Sequence, residues 1–325
     1  MRVGVLYNII ESSGTKEVEE DLMEMTNDIK KSLENYSHEV FLINANENLF
    51  QNLKKKKIEF VFNICERFDG NSLLEPHVAA MLELSGIPFT GSDYSTLFIC
   101  NNKIRTKEIL TVYKILTPKY QVFYSSDEKL NSGLKFPLIV KPKQLENSIG
   151  VTEASIVSDE KSLRKRIKYV NDEFDQEALV EEFIKGYDVE IGIIGNENNL
   201  LILPTAKVGY ENLSNTPEDK IFDYESKWDL ESKNYGDYVK ANLPEEVEEK
   251  LKRMAIKIYK IFNIKDYGRI DFRLTKNNEP YVIEVTANPG LSKVCSTPES
   301  AEWININYRE LINKIFETAL KRYKI

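Results

Sequence analysis

The stretch that decides the fold is 267-YGRIDFRLTKNNEPYVIEVTANPG-290. Polar and apolar residues alternate on both sides of Asn277-Asn278, and asparagine tolerates the positive φ that a tight turn requires. The stretch therefore predicts a β-hairpin with a two-residue turn. In that register Asp271 lies directly opposite Glu284, with both side chains on one face of the hairpin.

The same register places Arg269 opposite Thr286, on the face that carries the two carboxylates. Two carboxylates about 5 Å apart repel each other unless a positive charge lies between them. A hard divalent cation would supply that charge; the alternative is that the charged face is simply solvated. The other face is predicted to be buried and carries Ile270, Phe272, Leu274, Tyr281, Ile283 and Val285.

The composition favours a small-molecule enzyme or a protein-binding protein. The chain has 325 residues, 42% hydrophobic and 30% charged, which is enough for two or three domains of an ordinary soluble protein. A formal net charge of -8 argues against a nucleic acid or an anionic membrane as the main partner. Because no apolar run reaches about 18 residues and the N-terminus lacks a secretion signal, we expect a cytoplasmic protein.

Cysteine and histidine are too scarce for several kinds of site. The three cysteines lie far apart without CxxC spacing, and there are only two histidines. A disulfide framework, a His-rich zinc site and a Ser-His-Asp triad are therefore disfavoured. The chemistry is expected to use carboxylates, lysines, arginines and an oxygen-bound metal.

Residues 1–100 alternate short strands, at 3–7, 40–43 and 60–63, with helices, as in a parallel sheet covered by helices. A helix is predicted over 72–84, with Ser72 as its N-cap and Gly86 ending it. The loop 65–71 follows the third strand, at the edge where such sheets bind ligands. Glu66 in this loop is a candidate substrate contact, although a solvated loop is equally compatible with the pattern.

The middle of the chain offers single polar residues at strand ends. An apolar strand over 138–140 ends on Lys141, which brings an ammonium group to the loop QLENSIG. That loop has one glycine, fewer than a phosphate cradle usually needs. A strand over 178–182 and a bend at Lys185-Gly186 then lead to Asp188, which is either a ribose-hydroxyl acceptor or a turn residue.

The segment 210–243 is polar and irregular but contains six aromatic residues, so it is predicted to be an ordered lid. Pro244 opens an amphipathic helix, and 308–323 forms a closing helix.

Several segments, taken together, resemble the ATP-grasp superfamily and, within it, the D-alanine:D-alanine ligase family. In order they are ELSGIPFTGS with Asn102-Lys103, FPLIVKP, LVEEFIKG, FDYESKW, and YGRIDF followed by VIEVTANPG. The resemblance covers most of the chain from about Phe60 to Pro298. It implies an α/β, three-domain ATP-grasp fold: a Rossmann-like N-terminal domain (1–100) with a parallel sheet, a central subdomain (101–186) and a C-terminal subdomain (187–325) with the lid loop 210–243.

The activity that this resemblance implies is an ATP-dependent carboxylate-amine ligation. The γ-phosphoryl group of ATP passes to a carboxylate, and an amine then attacks the acyl phosphate to give an amide. The implied cofactors are ATP and Mg²⁺, for which Mn²⁺ can substitute. The implied partners are small amino-acid or amine substrates, with neither nucleic acid nor membrane, in a homodimer.

The resemblance also assigns roles to individual residues. Phosphate contacts fall to Lys103, Lys141 and the lid residue Lys227, with Ser148 in the loop after Lys141. The hinge that meets adenine consists of Glu181, Glu182, Phe183 and Ile184, and Asp188 takes the ribose position.

The hairpin has matching roles. Asp271 and Glu284 correspond to magnesium ligands, and Arg269 corresponds to the arginine that steadies the tetrahedral intermediate, with Lys227 beside it as a catalytic residue. The family's third ligand position is Thr286 here, and Asn288 is the alternative donor.

The amino-acid end of the site departs from the family pattern. The acidic residue of its N-terminal motif is not recognisable in NIIESSGTKEVEE. Family serine, tyrosine and serine positions hold Asn147, Trp228 and Cys295, and Ser296 follows the last. With Glu66 these residues are the candidate substrate contacts. We therefore predict a ligase for substrates other than two D-alanines; the alternatives are a true D-alanine:D-alanine ligase and a catalytically weak nucleotide-binding regulatory protein.

Overall fold

The computed structural model of the protein describes residues 1–9, 16–143, 150–209, 220–221 and 236–325. The strands are β1 (Arg2–Tyr7), β2 (Glu39–Asn44), β3 (Phe60–Asn63), β4 (Tyr120–Phe123), β5 (Leu138–Pro142), β6 (Ile156–Val157), β7 (Ala178–Glu182), β8 (Tyr187–Asn196), β9 (Asn199–Ile202), β10 (Ala206–Gly209), β11 (Asp237–Lys240), β12 (Tyr267–Leu274) and β13 (Pro280–Thr286). The helices are α1 (Lys16–Glu34), α2 (Leu49–Lys55), α3 (Glu75–Ser85), α4 (Tyr94–Cys100), α5 (Lys103–Val112), α6 (Glu160–Phe174), α7 (Glu245–Ile261), α8 (Ser296–Glu302) and α9 (Tyr308–Tyr323).

The first sheet is parallel, in the order β2-β1-β3, as the alternation of strands and helices predicts. A 3₁₀ turn precedes α3, and the side chain of Asn71 caps it by accepting the Leu73 N–H. The prediction of Ser72 as N-cap is therefore wrong by one residue. Gly86 ends α3 as predicted, because its φ of 70° is a left-handed value that glycine adopts without strain.

The central sheet is antiparallel, in the order β4-β7-β5-β6, and α6 packs on it. Its apolar side chains form a core that is separate from the others, running from Phe123 to Val180. Asp159 begins α6 with a capping box, in which its side chain accepts the Ser162 N–H at 2.8 Å.

The third sheet has the order β11-β10-β8-β12-β13, with β9 paired to β8. Strand β11 lies inside the segment predicted to be an irregular lid, and it pairs antiparallel with β10. The end of that segment is therefore part of the sheet, whereas 210–219 and 222–235 lie outside the described residues.

The first and third sheets share two apolar cores, and α1 packs against α9 across them. Arg322 of α9 binds the fully buried Asp266 at 2.7 and 2.9 Å and donates to the carbonyls of Phe89 and Gly91. Helix α5, in the predicted central subdomain, also packs on β13, from across the predicted boundary at 186/187. The predicted domain limits remain predictions. Among the described residues, no helix is long and apolar enough to cross a membrane.

Candidate active site

The turn of the β12–β13 hairpin differs from the prediction. The loop contains three residues, 276–278, because Thr275 and Glu279 form the pair that closes it. Asn278 has a φ of 59°, and its N–H donates to the Thr275 carbonyl at 2.9 Å. The predicted two-residue turn at Asn277-Asn278 is therefore wrong, since the left-handed asparagine ends a longer loop.

A β-bulge then restores the predicted register at the other end of the hairpin. Asp271 does pair with Glu284, because one extra residue, Ile283, is inserted before that pair. The bulge turns Val282 into the core, where it is fully buried, while Ile283 lines a cavity. The prediction that Tyr281 and Ile283 lie on the buried face is thus wrong.

Three carboxylates lie in one row across the third sheet. Glu190 on β8 pairs with Asp271, which in turn pairs with Glu284. Arg269 holds Asp271 through two bonds, Nε to Oδ1 at 2.7 Å and Nη2 to Oδ2 at 2.8 Å, and its Nε lies 3.2 Å from Glu190 Oε2. Lys103 Nζ lies 3.1 Å from Glu284 Oε1. Two of the chain's own cations, Arg269 and Lys103, therefore offset part of the negative charge of the three carboxylates.

The charges in this row act on one another strongly. Burial raises the pKa of Asp271, the Arg269 guanidinium opposes that rise, and the nearby Glu190 carboxylate adds to it. A bidentate arginine–carboxylate pair is among the strongest charge-assisted contacts in proteins. Of these influences, the Arg269 guanidinium is the one that favours the ionised form of Asp271, which is the form that can bind a cation.

The oxygen donors suit a magnesium ion that a phosphate would help to hold. Mg²⁺ typically binds one or two carboxylates and completes its octahedron with water and phosphate oxygens, and Asp271 and Glu284 are such a pair. In the part of the chain that is described, no group of three His, Cys, Asp or Glu side chains is arranged to hold a metal. Thr286 lines the same cavity, whereas Asn288 Oδ1 accepts the Ser92 N–H at 2.9 Å. The Asn288 oxygen is thus used outside the carboxylate row.

A cavity of about 200 Å³ lies between the central and third sheets. Apolar side chains of Ile139, Ile221 and Phe272 line it together with charged ones, a mixture that suits a flat base next to phosphates. The predicted nucleotide and metal residues that line it are Lys103, Lys141, Glu181, Glu182, Phe183, Ile184, Asp188, Arg269, Asp271, Glu284 and Thr286.

A buried lysine–glutamate–lysine triad forms one wall of this cavity. Glu181 Oε1 lies 2.5 Å from Lys107 Nζ, and its Oε2 lies 2.9 Å from Lys141 Nζ. Burial alone would raise the pKa of Glu181, but the two ammonium groups lower it to about 2. Lys107 also donates to Thr117 Oγ1 at 2.8 Å. Lys141 is therefore held at the cavity by a carboxylate that is ionised at neutral pH.

Asp188 also has a partner within the chain. Arg273, which is almost fully buried, donates to Asp188 Oδ2 at 2.9 Å and to the Ile184 carbonyl at 3.0 Å. The same guanidinium donates to the carbonyl of Lys220 at 2.7 Å. Arg273 thus ties the hinge, the proposed ribose acceptor and the described part of the lid segment together.

The predicted substrate residues are only partly brought together. Glu66 and Cys295 both border Gly290, where an added Cβ would lie 3.5 Å from Cys295 Sγ and 3.8 Å from Glu66 Oε1. Burial is the main reason that the pKa of the Cys295 thiol is raised to about 12. Ser296 is buried and donates to Glu190 Oε2 at 2.5 Å, so its hydroxyl is used inside the protein. Asn147, Ser148, Lys227 and Trp228 lie outside the described residues.

Three residues of this site were not predicted: Glu190, Lys107 and Arg273. Each had a signal in the sequence. Glu190 is two residues after Asp188, on the same face of a strand, and Lys107 is four residues after Lys103 on one helix. Arg273 is likewise two residues after Asp271 on β12. Their partners lie on distant parts of the chain, so the spacings alone did not show which groups these residues bind.

Comparison with known proteins gives a consistent result. The family model for the "D-ala D-ala ligase C-terminus" matches residues 110–317. The chain is 30% identical to a D-alanine–D-alanine ligase of Aquifex aeolicus, over 88% of this chain and 91% of that protein. It is 29% identical to one from Carboxydothermus hydrogenoformans, over 99% of both chains.

The solved structures agree on the fold. A D-alanine–D-alanine ligase from Bacillus anthracis, in complex with ATP, matches 100% of this chain and 99% of its own with a TM-score of 0.78 and 27% identity. The VanG D-Ala:D-Ser ligase of Enterococcus faecalis matches 98% of this chain and 99% of its own with a TM-score of 0.77 at 20% identity, which supports the fold alone. On the strength of the family match and of these relatives, the chain belongs to the D-alanine–D-alanine ligase family of ATP-grasp, ATP-dependent carboxylate-amine ligases.

Proposed function

We propose that the protein joins the carboxylate of one amino acid to the amine of a second small molecule in the cytoplasm, with ATP, and that the pair is not two D-alanines. The observation that carries the reaction type is the carboxylate row with Arg269 and Lys103 beside it. Phosphoryl transfer needs charge neutralisation and positioning more than a nucleophilic side chain, and this row offers both.

The first step transfers the γ-phosphoryl group to the substrate carboxylate. A carboxylate oxygen forms the new bond to phosphorus while the bond to ADP breaks. Lys103 and Lys141 bind phosphate oxygens, and Lys141 is held for this by Glu181. A magnesium ion held by Asp271 and Glu284 would neutralise charge on the transferring group.

The second step forms the amide. The amine attacks the acyl carbon, loses a proton, and phosphate leaves with the electrons of the carbon–oxygen bond. Arg269 stabilises the oxyanion of the tetrahedral intermediate, since its guanidinium lies in the cavity beside the carboxylate row. Water must be excluded from the acyl phosphate, which is the role proposed for the lid segment.

The substrate proposal depends on the residues at Gly290. A cysteine, Cys295, stands where the family has a serine, with the Glu66 carboxylate against the same glycine. Asn147 and Trp228 are further departures from the family pattern. The main alternative, a true D-alanine–D-alanine ligase, is favoured by relatives of that name that match nearly the whole chain.

Phosphate release from ATP, measured against a panel of D- and L-amino acids and simple amines, tests the proposal. We expect release with at least one pair other than two D-alanines, and its loss in Glu284→Gln. Glu279→Gln is the matched control, because Glu279 is an exposed carboxylate of the same hairpin whose Oε2 accepts the Tyr281 hydroxyl at 3.1 Å. Release with D-alanine alone would refute the substrate proposal, and no release with any pair would favour the regulatory alternative.

A further inference from the structure

We propose that Glu190 is a positioning residue that keeps Arg269 aimed at the reacting carbonyl when Asp271 is occupied by a metal ion. The inference rests on the proposed function, because it assigns a partner to the arginine of the second step. Glu190 does not itself reach the substrate in this scheme. It acts through the guanidinium that does.

The first observation is that Arg269 stands between two carboxylates. Asp271 takes it with two short bonds, while Glu190 Oε2 lies 3.2 Å from the same Nε atom. All three side chains are largely buried, so the contacts are weakly screened by water. The guanidinium therefore has a second anionic partner already in place.

The second observation is that Glu190 is itself fixed from behind. It is 6% exposed, and each of its carboxylate oxygens accepts a hydroxyl: Ser296 donates to Oε2 at 2.5 Å and Tyr238 to Oε1 at 3.1 Å. Burial and the nearby Glu190 charge raise the pKa of Tyr238 well above its usual value, so the phenol keeps the proton that it donates. Glu190 therefore cannot turn away without breaking these two hydrogen bonds.

The carboxylates of Asp271 and Glu190 would have different roles when a metal ion binds. Asp271 faces Glu284 across the hairpin, and its oxygens would then be shared with the cation. Asp271 would then hold Arg269 less firmly, and an arginine side chain that is less firmly held can adopt many rotamers. Glu190 lies on the opposite side of Asp271 from Glu284, on β8, and stays bound to Arg269.

In this arrangement, Ser296 and Tyr238 serve to hold the Glu190 carboxylate in place. Ser296 begins α8 and Tyr238 lies on β11, so two separate elements of the fold meet at one carboxylate. A misplacement of a catalytic group by about 1 Å can cost about 10²-fold in rate. Fixing Glu190 is therefore a way to fix Arg269.

The kinetic test compares Glu190→Gln with wild type, using the acceptor pair found active. We expect kcat to fall by about 10²-fold while KM for ATP changes less than about 2-fold. Ser296→Ala, which keeps the charge and loosens its support, should lower kcat less. Glu177→Gln is the control, since Glu177 pairs with Lys143 in the central sheet at 3.0 Å. Normal kcat in Glu190→Gln, or a KM that rises as much as kcat falls, would overturn the inference.

A second test does not depend on turnover. Thermal unfolding of Glu190→Gln, Arg269→Met and the double variant is compared in an Asp271→Asn background, which imitates an aspartate that no longer holds the arginine. We expect the stability lost in the double variant to be smaller than the sum of the stabilities lost in the two single variants. Such non-additivity shows that Glu190 and Arg269 interact. Additive losses would overturn the inference. If wild type releases no phosphate, the proposed function fails, and this cycle still decides whether Glu190 holds Arg269.

Discussion

Replacing Lys107 with methionine should destabilise the protein at neutral pH through the buried Glu181 carboxylate. Methionine matches the length of the lysine stem but removes the ammonium group that lies 2.5 Å from Glu181. Lys107 and Glu181 are each 2% exposed, so water cannot replace the lost partner. The second lysine of the triad, Lys141, remains and limits the damage.

The size of the effect follows from the pKa of Glu181. That pKa is about 2, against an ordinary value of 4.5, and each tenfold change in ionisation is worth about 1.4 kcal/mol. The two ammonium groups therefore stabilise the ionised carboxylate by about 3 kcal/mol beyond the cost of its burial. With one of them gone, we expect the free energy of unfolding to fall by about 2 kcal/mol, below the 3–5 kcal/mol or so typical of a buried charge left with no partner.

Urea unfolding at pH 7 measures this loss, with Lys143→Met as the control. Lys143 pairs with Glu177 beyond the ends of β5 and β7 in the same sheet, where both side chains reach water, so its loss should cost at most about 1 kcal/mol. The Glu181 contribution is complete above pH 4.5 and is lost as pH falls towards 2, because the unfolded carboxylate takes up a proton first. The gap between wild type and Lys107→Met should therefore narrow below pH 4.5. Equal losses in the two variants, or a gap that ignores pH, would refute the reasoning.

Two further predictions concern contacts around the site. Asn288→Ala should lower the free energy of unfolding by about 1 kcal/mol, because the Ser92 N–H loses its acceptor. The Mg²⁺ requirement of phosphate release should not change, and a clear increase would instead make Asn288 a ligand. Arg322→Met should cost about 3 kcal/mol in urea unfolding, because Asp266 is fully buried, whereas the exposed Lys321→Met should cost almost nothing. Similar urea midpoints for these two would contradict the role given to Arg322.

The opposition of Asp271 and Glu284 could be predicted from the sequence although two details of the prediction were wrong. The turn is one residue longer than predicted, and a bulge at Ile283 shifts the register back by one. Two-residue turns are the commonest hairpin connections and three-residue loops come next, and a left-handed asparagine fits both. A bulge depends on packing from neighbouring strands, so alternation alone could not reveal it.

Segments with a strong local pattern were placed well. The closing helix 308–323 and the strands at 60–63 and 178–182 have the predicted limits. Strand β11 was not predicted, because its local sequence gives no sign that it pairs with β10. The rest of the sheet decides that pairing. The predicted cap at Ser72 failed for a related reason, since Asn71 competes for the same role one residue earlier.

The same distinction between local patterns and distant partners applies to the site. Among the described residues, most of those that match the family's nucleotide and metal motifs line one cavity. The roles of Glu190 and Lys107 could not be predicted from their spacing alone, because their partners are distant in the chain. Ser296 is 106 positions from Glu190, Glu181 is 74 positions from Lys107, and Arg269 lies on a different strand from Glu190. The role of a buried charged residue can be inferred only when the group that neutralises it is known.

The shared cores of the first and third sheets have a consequence for the order in which the chain can fold during synthesis. Helix α1 packs on α9, and Arg322, near the end of the chain, ties Phe89 to Asp266. The first ninety or so residues therefore leave the ribosome long before the surface that completes their core exists. The central sheet, whose core closes between Phe123 and Val180, is the part that can fold early. The first sheet is thus synthesised before the central sheet but completes its core after it.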